Sequence, residues 1–188
     1  MREYSTEAVV LDKESIGDLD ALVSLYTPEH GKVVARAKSV RKITSKLASS
    51  LEIANIITAR ILESENHQIV DAFSLSRGEQ WRESLDSLRE LVDFLTCVKE
   101  ITSEGESEIR LWETIQGIFA SRPHSLKPYY RNLLASVGFD PRHARCEGCK
   151  NQKPDYFIPR DSIFICKRCF KPGVSARETY AVTLHPYE

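Results

Sequence analysis

Four cysteines toward the end of the chain have the spacing of a metal site. The segment CEGCKNQKPDYFIPRDSIFICKRC contains two CxxC pairs separated by sixteen residues. Each pair can supply two thiolates from one turn, and zinc binds four such ligands at tetrahedral positions about 2.3 Å away. The sequence therefore predicts one structural Zn²⁺ ion, with no coordination position left for a catalytic water, bound by Cys146, Cys149, Cys166 and Cys169.

Other interpretations of these cysteines stay open: four free thiols, or two disulfides. The chain begins MREYSTEAVVLD, without the apolar core of a secretory signal. No apolar run approaches the roughly 20 residues that span a bilayer. We therefore expect a cytoplasmic protein without membrane contact, in which metal binding is favoured over disulfides. The fifth cysteine, Cys97, lies beside an apolar helical stripe and is predicted to be a small buried side chain.

A second feature is a basic stretch, GKVVARAKSVRKITSK, at residues 31–46. The whole chain has a formal net charge of −1, yet this stretch carries six positive charges and no negative charge. Neutralising a phosphate backbone releases condensed counterions, so a nucleic acid is the natural complement. A solvated face without a partner is the alternative. We predict DNA contacts by Lys32, Arg36, Lys38, Arg41, Lys42 and Lys46.

The first 76 residues are predicted to carry this stretch on a small β-barrel. Apolar residues recur at every second position in 19–25 and 33–37, so one side of each strand is buried and the cations lie on the other. Further strands are expected at about 51–62 and 67–75. Five strands with a connector between the third and fourth favour an OB-fold, whose outer face commonly binds single-stranded nucleic acid.

Residues 77–140 change to the three–four spacing of helices. Apolar stripes at about 85–105, 109–119 and 126–137 predict three helices that form a bundle. The predicted fold class is therefore α+β, with an OB-fold domain at 1–76, a helical domain at 77–140 and a zinc-binding module packed with it at 141–188. No glycine-rich phosphate loop, HExxH or GxSxG motif is present, and no enzymatic activity is expected.

Two segments carry a resemblance to the bacterial RecO family. TEAVVLDKESIGDLDALVSLYTPEHGKVVARAKSVRK resembles the family's opening, in which T-x-E-H-G-K precedes a strand containing A-K and further basic residues. YYRNLLASVGFDPRHARCEGC is similar to the family's helix ending in L-x-x-x-G, followed by a Pro/Asp turn and the first CxxC. With the later CKRC, the resemblance spans most of the chain.

The resemblance implies a non-enzymatic recombination mediator that binds single- and double-stranded DNA and anneals complementary strands. With RecR it would help to load the RecA recombinase, and it would bind the tail of single-stranded DNA-binding protein. Carried onto this sequence, DNA contact falls to the six cations, and the four cysteines match the family's zinc positions.

One departure concerns the C-terminal region. Family members typically continue into further helices, whereas nineteen residues follow Cys169 here. The site for the tail of single-stranded DNA-binding protein is therefore expected to be reduced, rearranged or absent. An RNA-binding adaptor built from the same barrel and ribbon is the alternative function, and a nuclease with a zinc-ribbon accessory module is the third hypothesis.

Overall fold

A computed structural model describes residues 2–63, 66–151, 153–171 and 180–184. The chain divides into two compact units, Met1–Arg122 and Pro123–Glu188. The first unit contains a barrel and two helices, and the second contains one helix and the four paired cysteines. The three-domain division at residues 76 and 140 remains a prediction. None of the helices in the described residues combines the length and apolar character needed to span a bilayer.

Five strands close the barrel in the order β1-β2-β3-β5-β4. The contact between β3 and β5 is parallel, and the other four pairings are antiparallel. This closed five-stranded arrangement confirms the predicted OB-like barrel. The strands are β1 Arg2–Ile16, β2 Asp20–Thr27, β3 Gly31–Ala37, β4 Ile56–Glu63 and β5 Gln68–Ser76.

The alternation along β3 separates the core from the surface. Val33, Ala35 and Ala37 are buried inside the barrel, whereas Arg36 is exposed. Small side chains in this strand leave room for larger ones from β1, β2 and β4 in the barrel interior. The predicted orientation of the strand is therefore confirmed.

The middle of the first strand, residues 8–11, is buried on both sides, which explains its continuous apolar run. Ala8 and Val10 belong to the barrel core, and the intervening Val9 and following Leu11 are also buried. Helix α1, Leu85–Ile101, packs against the outside of this strand. A single strand thereby joins the barrel core to the helical layer.

Two helices complete the first unit: α1 and α2, Ile109–Ser121. The Ser84 hydroxyl accepts a hydrogen bond from the Ser87 amide and caps the start of α1. The helix ends before the predicted position near Gly105, because Thr102 has extended backbone dihedrals and its amide bonds back to the Val98 carbonyl.

The predicted fourth strand starts later than the sequence pattern indicated. Residues 51–55 form turns, and Leu51 is completely buried against the barrel core. The Asn55 side-chain amide donates to the carbonyls of Ser49 and Ser50, both at 2.9 Å. These bonds hold the connector in turns, so the apolar character of residues 51–55 reflects a plug in the barrel rather than a strand.

The turn between β2 and β3 contains the TPEHGK sequence and serves a structural purpose. The buried Thr27 hydroxyl accepts from the His30 amide at 3.0 Å and donates to the Gly31 carbonyl at 3.2 Å. The Tyr26 hydroxyl accepts from the Glu108 amide at 2.9 Å. The loop between α1 and α2 therefore docks on this turn, and a Cβ atom on Gly31 would lie 1.9 Å from the Glu106 carbonyl oxygen.

The second unit combines helix α3, Lys127–Ser136, with a small sheet in the order β7-β6-β8. Its strands are β6 Tyr156–Ile158, β7 Ile163–Ile165 and β8 Val182–Thr183. Strands β6 and β7 form a hairpin between the two cysteine pairs, with Tyr156 opposite Ile165. Gly138 follows α3 with a φ of 89°, a left-handed conformation that glycine adopts readily at the end of a helix.

Substituting Gly31 tests the docking of the loop on the barrel. Gly31→Ala should lower the free energy of unfolding by roughly 3 kcal/mol or more, because the new methyl group overlaps a backbone carbonyl as well as straining a positive φ. Urea denaturation measures this loss. The matched control is Gly17→Ala, which has the same sign of φ but no atom within 4 Å of the added Cβ; it should lose only about 1 kcal/mol. Equal losses in the two variants would contradict the packing argument.

Candidate nucleic-acid interface and metal centre

The second unit brings the four paired cysteines together at metal-binding distance. The sulfur atoms of Cys146, Cys149, Cys166 and Cys169 all lie within 4.8 Å of one another. The Cys149 and Cys166 sulfurs are 3.7 Å apart. A tetrahedral ion with metal–sulfur bonds of about 2.3 Å needs sulfur atoms about 3.8 Å apart, so the cluster fits such an ion.

Backbone hydrogen bonds build each half of this cluster. In the first CxxC turn, the Lys150 amide donates to the Cys146 carbonyl at 2.7 Å, and in the second, the Phe170 amide donates to the Cys166 carbonyl at 2.9 Å. A Cβ atom on Gly148 would lie 3.1 Å from the Cys169 sulfur, so the turn can approach the opposite pair closely because it has no side chain there. The hairpin between the turns then brings the two halves face to face.

The electrostatics of the cluster favour a bound cation. Burial alone would raise the pKa of Cys146, but the amide of Cys166, which donates to its sulfur at 3.2 Å, and further donors lower that pKa to about 6. The neighbouring sulfurs of Cys166 and Cys149 raise the pKa of Cys169 to about 12. One thiolate forms readily, and its negative charge opposes the ionisation of the next cysteine. Four thiolates can therefore coexist here when a cation compensates their charge.

The fifth cysteine has a different environment. Cys97 is completely buried in α1, and burial strongly raises the pKa of its thiol, with a smaller contribution from Glu100. A thiol of this kind is a poor nucleophile because the thiolate is the reactive form. The structure therefore agrees with its interpretation as a small buried side chain.

Four cations of the basic stretch lie exposed in and beside the connector that follows β3. Within the described ranges, none of the four forms a salt bridge with a carboxylate. We call them the connector cations: Lys38, Arg41, Lys42 and Lys46. Each presents a positive charge to solvent on the same short segment.

The tip of the β1–β2 hairpin supports this segment. The Arg41 amide donates to the Leu19 carbonyl at 2.9 Å, and the Arg41 guanidinium donates to the Gly17 carbonyl at 3.2 Å. The Ser39 amide donates to the Asp20 carboxylate at 2.7 Å. The connector cations therefore project from a turn that is fixed to the barrel at several points.

Arg36 is exposed but already has a carboxylate partner. Its guanidinium donates to the same oxygen of Asp20 from Nε at 2.9 Å and from Nη2 at 2.5 Å. The Ser39 amide, followed by Arg36, holds the pKa of the Asp20 carboxyl below its usual range. Part of the charge of Arg36 is thus compensated before any nucleic acid binds.

Lys32 lies apart from the connector cations, near the opposite end of β3. Its half-buried ammonium group donates to the Lys99 carbonyl at 2.9 Å, near the C-terminal end of α1. Burial lowers the pKa of Lys32, an effect opposed by Glu104 and Glu100. Cations stabilise the carbonyls at the end of a helix, so this lysine has a structural role that its place in the basic stretch does not indicate.

The second unit contains a cationic cleft that sequence reasoning did not assign. A cavity of about 640 Å³ is lined by Arg131, Pro141, Arg142, His143, Ala144, Arg145, Lys153, Pro154 and Leu184. A smaller cavity of about 210 Å³ shares some of these residues and is lined also by Pro128 and Tyr130. The sequence feature that could have indicated this cleft is the positive charge of residues 141–177, which contain nine Lys/Arg and three Asp/Glu.

Comparison with known proteins supports the resemblance seen in the sequence. Residues 1–72 match the family described as Recombination protein O N terminal. A DNA repair protein RecO from Myxococcus xanthus is 28% identical over 97% of this chain and 78% of its own length. Proteins with the same description from Dehalococcoides mccartyi and Thermoanaerobacter are 26% and 24% identical, covering 89% and 98% of this chain and 70% and 78% of their own lengths. The first 72 residues thus match the N-terminal domain of recombination protein O, and the chain is similar over most of its length to proteins described as DNA repair protein RecO.

Proposed function

We propose that this protein binds DNA through the connector cations and anneals complementary strands without a covalent step. The observation that supports the proposal is the group of four exposed cations, unpaired with any described carboxylate, on one end of an OB-like barrel. The descriptions of the relatives as DNA repair proteins favour DNA over RNA as the polyanion.

The mechanism is electrostatic. Two phosphate backbones repel each other, and this repulsion opposes the pairing of complementary strands. A cationic surface that neutralises phosphates on both strands lowers the repulsion and releases condensed counterions. The strands can then approach closely enough for their bases to pair, and the protein contributes charge and position rather than a reacting group.

The resemblance also supports a place in a larger repair reaction. We propose that the protein acts with RecR to load the RecA recombinase at gaps, in the cytoplasm on nucleoid DNA. An annealing assay on complementary strands coated with the cognate single-stranded DNA-binding protein tests DNA action and partner engagement together.

Removing three of the four connector cations should weaken binding to single-stranded DNA and reduce its salt dependence. In an Arg41→Ala, Lys42→Ala, Lys46→Ala variant, the slope of log K against log salt should become less negative by about 2, because each neutralised phosphate on a single strand contributes about 0.7. Fluorescence anisotropy with a labelled oligonucleotide at several salt concentrations measures both quantities.

Two controls accompany this variant. Arg77→Ala, Arg89→Ala, Arg110→Ala removes the same charge from exposed sites elsewhere in the first unit and should leave the slope unchanged. Lys32→Ala should lower stability more than DNA affinity, because its ammonium group is bonded to the end of α1. An unchanged slope in the connector variant would place the DNA surface elsewhere.

We propose that the ion bound by the cysteine cluster is a single structural zinc. Four sulfur ligands at these separations suit zinc, and they occupy all its tetrahedral positions. The sheet beside them has strands of three, three and two residues, which are too short to be stable without a cross-link. The metal would therefore hold the second unit together.

Elemental analysis should find about one zinc per chain in the purified protein. Cys149→Ser should lose the ion, and a strong chelator should abolish the near-ultraviolet circular dichroism from the aromatic residues of the second unit, since metal binding is coupled to folding in such modules. Cys97→Ser serves as the control and should retain the full zinc content. A folded, metal-free protein would contradict the structural role.

We propose that the tail of single-stranded DNA-binding protein docks in the cationic cleft of the second unit. The cleft combines positive side chains with an apolar lining from Pro141, Pro154 and Leu184, and it continues toward Pro128 and Tyr130. Such a surface selects an acidic segment that carries an apolar side chain. The proposal differs from the expectation of a reduced or absent site.

Binding of a synthetic peptide with the sequence of the cognate tail tests this docking. The double variant Arg145→Ala, Lys153→Ala should lower the affinity for the peptide about tenfold. This is the effect expected from losing roughly 1.4 kcal/mol of charge-assisted contacts. Arg160→Ala, Lys171→Ala removes the same charge from exposed positions that do not line the cleft and should bind normally. Calorimetric titration gives both affinities, and an equal loss in the two variants would indicate a non-specific charge effect.

A further inference from the structure

Three large aliphatic side chains are exposed beside the connector cations. Ile16 and Leu19, in the β1–β2 hairpin, are 41% and 43% exposed, and Ile43, in the connector, is 105% exposed. Burying side chains of this size is worth about 1.5–3 kcal/mol each, so their exposure leaves substantial apolar surface available.

Hydrogen bonds hold the tip of the β1–β2 hairpin against the connector that carries the cations. The Arg41 amide is bonded to the carbonyl of Leu19 itself, and the Arg41 guanidinium is bonded to Gly17. Ile43 follows Lys42 directly, and Lys46 lies three residues further along. We call the combined surface the hairpin–connector face.

The chemistry of this face matches an unpaired nucleotide. Phosphates complement the cations, while the flat faces of the bases are apolar and can lie against aliphatic side chains. In a duplex the base faces are stacked on one another and are unavailable, whereas in a single strand they are accessible. Exposed aromatic side chains, the usual stacking groups, are absent from residues 16–19 and 36–46, so aliphatic contact takes their place.

We propose that the hairpin–connector face binds unpaired nucleotides, with Leu19 and Ile43 in contact with bases while the connector cations bind phosphates. This assignment rests on the proposed DNA binding and adds a preference for single strands over duplex. The cations provide affinity for any nucleic-acid backbone, and the aliphatic side chains provide the preference.

The test compares the affinities of Leu19→Ala, Ile43→Ala for a single-stranded oligonucleotide and for its duplex. We expect the single-stranded affinity to fall roughly fivefold to tenfold, as expected for the loss of about 1–1.4 kcal/mol of apolar contact, with the duplex affinity and both salt slopes unchanged. Replacing an adenine with 2-aminopurine gives a second readout, because contact with a base changes its fluorescence. The conservative variant Ile43→Leu, with Leu19 unaltered, should bind the single strand as the unaltered protein does.

Leu85→Ala, Ile109→Ala is the matched control, because these residues are also aliphatic and are 86% and 54% exposed in the same unit. It should bind both oligonucleotides as the unaltered protein does. Equal losses on single strand and duplex, or no loss on either, would overturn the assignment while leaving DNA binding intact. A protein that binds neither oligonucleotide would instead overturn the proposed function.

A cationic face with exposed aliphatic residues can also bind an anionic membrane surface. Sedimentation with vesicles containing phosphatidylglycerol distinguishes this case. If Leu19→Ala, Ile43→Ala abolishes vesicle binding and leaves single-stranded DNA affinity unchanged, the face belongs to a membrane and the assignment is wrong. Absence of vesicle binding together with the selective loss of single-stranded affinity supports it.

Discussion

The carboxylate of Asp20 holds the basic connector against the barrel. It accepts hydrogen bonds from the Ser39 amide and from Arg36, and with nearby Lys38 these groups lower its pKa. Cations crowded on one turn repel one another, so a turn of this composition needs a fixed anion at its base. Asp20 supplies that anion and compensates Arg36, while Arg41, Lys42 and Lys46 form no salt bridge within the described residues.

Local patterns predicted the parts of the site that depend on neighbouring residues. The alternation along β3 fixed which side chains face the core, and the spacing of Cys146, Cys149, Cys166 and Cys169 was sufficient to predict that they converge. Both depend on periodicity or on a short hairpin. The start of β4 was predicted too early, because the Asn55 side chain bonds to carbonyls several residues back and stabilises turns in an apolar segment.

Properties created by distant segments could not be predicted in this way. Lys32 has the sequence context of a surface cation, but its partner is a carbonyl 67 residues away on α1. The cationic cleft combines Arg131 of α3 with residues from the basic segment 141–177. Arg131 lies within the apolar stripe at 126–137, which predicted a helix but no binding site. In each case tertiary folding brings together residues that are far apart in the sequence, and a single sequence does not show such contacts.

The two units solve the problem of stability by different physical means. The barrel has a continuous apolar core contributed by all five strands and by the plug of the connector, so it can hold a charged surface without further support. Within its described residues, the second unit buries fewer large side chains and has very short strands. This is the situation in which a metal cross-link contributes most. Gly148 fits this account, since a Cβ atom there would lie 3.1 Å from the Cys169 sulfur and crowd the opposite half of the cluster.

Charge and apolar contact make unequal contributions to recognition on the hairpin–connector face. Electrostatic attraction acts over a Debye length of about 8 Å at physiological ionic strength, and it depends weakly on the orientation of the ligand. Apolar contact acts only when surfaces touch, and salt does not screen it. In the proposed binding mode, Lys38, Arg41, Lys42 and Lys46 attract a polyanion whatever its form, whereas Leu19 and Ile43 discriminate only after it has arrived. The proposed annealing converts unpaired strands into duplex. A face that prefers the unpaired form would then release its product, because the base faces it contacted become stacked within the new helix.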